Sequence, residues 1–175
     1  RLLENPSNPE TQAKLERLLS REKMALKESI MKREAEFRKR YGIVLLESRI
    51  ALIANRMIEK GYDVNTVIEE VVDIQRMVED FERDFYRKHG ISLRFSNEAV
   101  DRVTEIGLEE DGKGIGICSR LSKDYEHGFK KKKKRVGQRE FILTREAIDN
   151  PEVYLNQVIR EIFSQQTDVR VEDQE

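Results

Sequence analysis

Any chemistry in this chain must be built from few parts: two histidines, one cysteine and 34 carboxylates. His89 closes a basic stretch, Arg87-Lys88-His89, and His127 precedes Gly128. Neither has a ligand-type side chain four residues away, the spacing that lets two ligands on one helix face share a metal. Both read as helix-end histidines near backbone carbonyls. Cys118 has no histidine at helical spacing to take its proton, so a small buried residue is its expected role. As the only cysteine, it can form neither an internal disulfide nor a Cys-based zinc cage. The carboxylates from Val64 to Asp84 follow a solvated helix face rather than a paired acid and base. No Gly-x-x-x-x-Gly-Lys-[Ser/Thr] loop is encoded. Gly112-Lys113-Gly114-Ile115-Gly116 lacks the strand and the spacing of a dinucleotide fingerprint; it reads as a turn into a helix N-terminus, an end that attracts anions. Lys130, Lys131, Lys132, Lys133, Lys134 and Arg135 form an unbroken basic run. Each could neutralise a phosphate, but no aromatic residue interleaves them to stack on bases. A solvated loop is the first reading of that run, and contact with a polyanion or acidic partner the second. Taken alone, the chain reads as non-catalytic.

These residues sit in a setting rich in charge. Lys and Arg (33) nearly cancel Asp and Glu (34), so the net charge of -1 exerts no general pull on nucleic acid or anionic lipid. Charged residues make up 38% of the 175, against about 25% in an average domain, a density that suits exposed, salt-bridged helices. The longest apolar runs, such as Ile43 to Leu46, fall far short of a membrane span. The expectation is a soluble, cytoplasmic, mostly helical protein that makes no use of a membrane. It opens at Arg1 without a methionine, as a fragment of a longer chain would.

Periodicity supplies the elements. Asn8-Pro9-Glu10 is a helix start with a cap, a proline at the first position and an acid for the dipole. The helix should run to about Tyr41, because Leu15, Leu19, Leu26, Ile30, Phe37 and Tyr41 recur in pairs eleven residues apart, a narrow stripe. Gly42 ends it, and Ser48 is the expected cap of a second helix to Lys60, with Ile50, Ile53, Met57 and Ile58 as its apolar side. Asp63 should cap a third helix, Val64 to about His89, whose apolar residues return every three or four positions. After Gly90, Ile91 to Phe95 alternates as a strand does. Ser96 should cap a helix to Leu108 that buries Val100, Val103 and Ile106. Another helix is expected from about Ile115 to His127, a second strand at Glu140 to Leu143 leading through Thr144 into a helical turn, and a last helix from Asn150-Pro151-Glu152 to Phe163. The division expected is a helical arm over 1–63, a mixed domain over 64–163 and a polar tail over 164–175.

Two further patterns stand out. From Lys14 to Arg40 there are ten basic and five acidic residues, whereas Asp63 to Asp84 holds eight acidic and two basic, so the two helices could pair within the chain or between copies. Phe37, Gly42, Ile43, Leu45, Ser48 and Ala51 are echoed 48 residues later by Phe85, Gly90, Ile91, Leu93, Ser96 and Ala99. Such an echo arises from the ordinary way helices end, or from duplication.

Read as helix, strand, capped helix, Gly turn, helix, strand and helix, Phe81 to about Leu155 resembles the C-terminal small (lid) domain of AAA+ ATPases of the Clp/Lon type. The residues that carry the resemblance are Phe85 to Phe95 (FYRKHGISLRF), Ser96-Asn97-Glu98-Ala99-Val100, the turn and helix from Gly112 to Leu121, and Phe141-Ile142-Leu143-Thr144. It covers somewhat under half of the chain. The resemblance implies an α+β, predominantly helical fold with a short two- to three-stranded sheet joining Ile91–Phe95 to Phe141–Thr144. It also implies an upstream ATPase domain that binds ATP or ADP, neighbouring subunits in a homo-oligomeric ring, a protein substrate, and no metal in this chain. In that family an arginine at the start of the penultimate helix reaches the phosphates. Here Gly116 holds that position, and Arg120 lies about one turn, ~5 Å, further on. Arg120 and Lys113 are therefore the candidates nearest the nucleotide. Alternative readings are a helical adaptor that uses the eleven-residue stripe, and a nucleic-acid-binding module that uses Lys130 to Arg135.

Overall fold

The computed structural model describes residues 8–109, 116–121, 123, 125–126, 140–157 and 160. The fold is α+β and predominantly helical, with a small two-stranded parallel sheet. The chain forms two compact units, Arg1–Val72 and Asp73–Glu175.

The first unit contains α1 (Pro9–Lys32), α2 (Glu34–Tyr41), α3 (Glu47–Lys60) and the opening turns of α4 (Val64–His89). The α1 start is as its sequence implies: Asn8 Oδ1 accepts the Glu10 N–H at 3.0 Å and Pro9 follows the cap. The single helix expected to Tyr41 is instead broken at Arg33 (φ -101°, ψ 8°), where the Arg33 N–H reaches back to the Ile30 carbonyl at 3.1 Å, a tighter i−3 bond. The Arg33 guanidinium makes two 2.9 Å bonds to Glu36 and lies 4.6 Å over the Phe37 ring.

The eleven-residue stripe has two fates. Ile30 and Phe37 are buried, Leu26 and Tyr41 half-buried, and Leu15 and Leu19 exposed. Length explains part of this, since α1 packs on α3 and has 24 residues, about 36 Å, against 14 residues, about 21 Å. The remaining core of this unit comes from Ile43 and Leu45 ahead of α3, Ile50, Ile53 and Ala54 of α3, and Val67, Ile68, Val71 and Val72 of α4. Ser48 is not the α3 cap: Leu46 holds that position without a side-chain bond, and Ser48 lies inside the helix. Met57 and Ile58 are only half-buried; Arg56 takes the inward place.

Asp63 opens α4 as expected. Its Oδ1 accepts the N–H groups of Asn65 (2.9 Å) and Thr66 (3.2 Å), and its Oδ2 accepts the Thr66 hydroxyl at 2.6 Å.

The second unit holds the rest of α4, β1 (Ser92–Phe95), α5 (Asn97–Glu109), α6 (116–121), β2 (Glu140–Leu143), α7 (Arg145–Asp149) and α8 (151–157). The strands pair in parallel, Ser92 with Glu140 through Phe95 with Leu143. Parallel neighbours need a long crossover, which includes α5 and α6. Leu93, Phe141 and Leu143 point into the core while Arg94 and Ile142 are exposed, the period-two pattern of a sheet with one wet face. Side chains engage both outer edges: Glu82 Oε1 accepts the Phe95 N–H at 2.7 Å, and the Tyr154 hydroxyl donates to the Ile142 carbonyl at 2.6 Å. Ser96 caps α5 by accepting the Ala99 N–H at 3.2 Å. The buried residues of α5 are Ala99, Asp101, Val103, Thr104, Gly107 and Leu108; Val100 and Ile106, expected inside, are half-buried. A cluster of ions fastens α5 to α7, with Arg102 bonded to Asp149 (2.6 Å) and Glu105 (2.7 Å), and Arg145 to Glu105 (3.2 Å).

Candidate functional site

The sequence nominated Arg120 and Lys113 for anion contact and Lys130 to Arg135 for a polyanion. Arg120 is exposed on α6, on the same helix as the buried Cys118. Lys113 and the basic run lie outside the described residues.

His89 and Cys118 both line a cleft of about 280 Å³ on the second unit. Met77, Phe81 and Phe85 line it with apolar surface, and Asp80 and Asp84 stand among its polar walls. Both carboxylates already face arginines one turn on, Asp80 with Arg83 and Asp84 with Arg87. The His89 ring lies 4.6 Å from that of Phe85, and its Nε2 is 4.0 Å from Glu126 Oε1. Burial pushes the Cys118 thiol up to about 11, so it remains protonated at neutral pH and is no nucleophile there. The volume falls just below the ~300–1,000 Å³ typical of small-molecule sites.

Among the described residues, no group of three or more His, Cys, Asp and Glu could hold a metal ion. None of the described helices is long and apolar enough to cross a membrane.

Among the described residues, one group of exposed apolar side chains lies on α1. Leu15 is 56% exposed, Leu18 47% and Leu19 41%, three leucines within little more than one turn. A contiguous exposed apolar group of this kind marks a contact surface more often than a lone exposed leucine does. Sequence periodicity located Leu15 and Leu19 but passed over Leu18, whose signal was its i+3 spacing from Leu15. No known protein family matches the sequence, no curated protein matches it, and no solved structure matches the chain.

Proposed function

We propose that this chain is the C-terminal region of an AAA+ ATPase of the Clp/Lon type, an ATP-dependent unfoldase or protease. The second unit serves as its lid, coupling the nucleotide state of an upstream ATPase core to the packing of subunits in a ring. ATP or ADP is held by that core, Arg120 on the exposed side of α6 is the side chain offered to the phosphates, and the substrate is a protein. One observation carries the reading. The two segments the resemblance requires as strands, around Ile91–Phe95 and Phe141–Thr144, pair in parallel register, and each runs directly into a helix. The burial of Phe85, Ile91, Leu93 and Val103 suits a lid that moves as a rigid body.

The test is to sequence the native protein on the N-terminal side of Arg1. A Gly-x-x-x-x-Gly-Lys-[Ser/Thr] loop and an acidic strand after it are expected. A native chain that starts within a few residues of Arg1 overturns the reading. In that case the helical adaptor is the better account, favoured by the exposed Leu15, Leu18 and Leu19 of α1.

A further inference from the structure

The two edges of the small sheet differ in what they still offer. The Ser96 N–H reaches the Leu143 carbonyl at 2.9 Å, so the even-numbered residues of β1 turn their backbone groups toward β2. Strand alternation then turns the N–H and C=O of Leu93, and the N–H of Phe95, to the outer edge. Glu82 of α4 marks that direction, since its Oε1 accepts the Phe95 N–H at 2.7 Å. A groove of about 470 Å³ opens beside this edge, between Glu79, Arg83 and Tyr86 of α4 and Ser92, Leu93 and Arg94 of β1. On the outer edge of β2, the Tyr154 hydroxyl instead takes the Ile142 carbonyl at 2.6 Å. Outward backbone groups of the β1 kind are a template for an added strand.

The C-terminal sequence, outside the described residues, holds a segment written as a strand. Asp168-Val169-Arg170-Val171-Glu172 alternates charged residues with β-branched valines. Its charges select a register, because Arg170 opposite Arg94 would set like charges together. Antiparallel pairing of Val169 with Leu93 avoids this. Asp168 then stands opposite Arg94, Arg170 opposite Ser92 and Val171 opposite Ile91. Both valines continue the buried row of Ile91 and Leu93, and the charged residues share the wet face with the exposed Arg94. The tether is long enough. Tyr154 places α8 beside β2 at the level of Ile142, which pairs with Arg94. A strand beyond β1 is three strand spacings away, about 14 Å, whereas residues 161–167 alone span up to ~24 Å. We propose that residues 168–172 join β1 as a third, antiparallel strand, with Glu82 holding the Phe95 N–H where the added strand begins. The inference concerns the second unit alone and is independent of the function proposed above. A segment tethered on the same chain pairs at high effective concentration, so the contact does not depend on protein concentration.

Amide hydrogen exchange on the whole 175-residue chain, read residue by residue by NMR, tests this. In this register the N–H groups of Val169 and Val171 bond to the carbonyls of Leu93 and Ile91, and that of Arg170 points away from β1. Slow exchange at 169 and 171, faster exchange at 170, and the same rates after tenfold dilution are expected. Arg94→Glu and Asp168→Arg should each speed exchange at 169 and 171 about two- to fivefold, and the double variant should recover most of the loss. Unchanged exchange in β2 shows that the sheet itself is intact in each variant. Unprotected amides at 169 and 171 overturn the proposal. So does protection that fades on dilution, which would give the edge to a second copy, or a double charge swap that fails to restore the slow exchange.

Discussion

Arg56 is an arginine where the apolar face of α3 would lead one to expect a hydrophobic residue. Its side chain is 5% exposed, it makes two bonds to Glu70 at 3.1 and 3.3 Å, and it lies 5.7 Å from the Tyr62 ring centre. Breaking a buried ion pair hurts mainly through the charge left behind, whereas an apolar replacement of similar size removes that charge. Glu70→Ala should therefore cost about 2 kcal/mol, below the range for fully buried pairs because water reaches the 30% exposed Glu70. Arg56→Met should cost less, and urea unfolding of both variants checks the order. Cys118 gives a pH prediction. Its folded thiol ionises at about 11, above the ordinary value of 9.0, so between those pH values the unfolded chain releases a proton that the folded one keeps. Stability on this account is intact below pH 9 and falls as pH rises toward 11, by on the order of 2–3 kcal/mol. Cys118→Ala should flatten that part of a stability-versus-pH curve; an unchanged slope would assign it to other groups. The buried role of Cys118 was legible because the sequence offers it no histidine at helical spacing. The buried Arg56 was not, since its partner Glu70 lies on another helix, fourteen residues away.

Helix ends were easier to read than helix interiors, because an end is written in a few adjacent residues. Asp63 illustrates this, with two backbone N–H groups and the Thr66 hydroxyl converging on one carboxylate. Those bonds, with the Thr66 hydroxyl foremost, hold its carboxyl below the ordinary value of 3.8. A depressed acid stabilises the fold above its unfolded value and loses that contribution as pH falls through its folded value. Helix content followed by circular dichroism should thus fall below pH 4 with a component that Asp63→Ala removes, the variant being less stable at neutral pH. The break at Arg33 had no such local mark, for no Gly or Pro stands there. The echo between 37–51 and 85–99 shows what local sequence does and does not determine. Gly42 (φ 70°) and Gly90 (φ 62°) both adopt the left-handed conformation after a helix with a buried Phe, and both are followed by a buried Ile and, two residues on, a buried Leu. Only 92–95 becomes a strand, because Glu140–Leu143 is there to pair with it, and that partner is encoded some 45 residues away. At Gly42 the backbone, not crowding, forbids a side chain, since nothing stands within 4 Å of an added Cβ. Gly42→Ala should cost ~1 kcal/mol in a denaturant melt.

At the scale of the whole molecule, α4 is the element that both units use. Val67, Ile68 and Val71 belong to the first core, Ile74, Val78 and Phe85 to the second, and the division falls between Val72 and Asp73. Helix formation is cooperative, so turns on either side of that point support each other through the backbone bonds that cross it. Asp73 is exposed, and its side chain pairs with Arg76 on the same helix, at 3.5 Å. Asp73→Pro therefore disturbs little packing. It removes the residue-73 N–H and sets its ring against the carbonyl one turn back, at a cost of about 3 kcal/mol. If α4 carries the coupling, the native chain unfolds with the amides of α3 and α5 losing hydrogen-exchange protection together. In Asp73→Pro those two helices should lose protection at different denaturant concentrations, each unit keeping its own core. Joint loss in the variant would mean that the units are linked by more than the shared helix. Separate loss in the native chain would mean that α4 links them in sequence but not in stability.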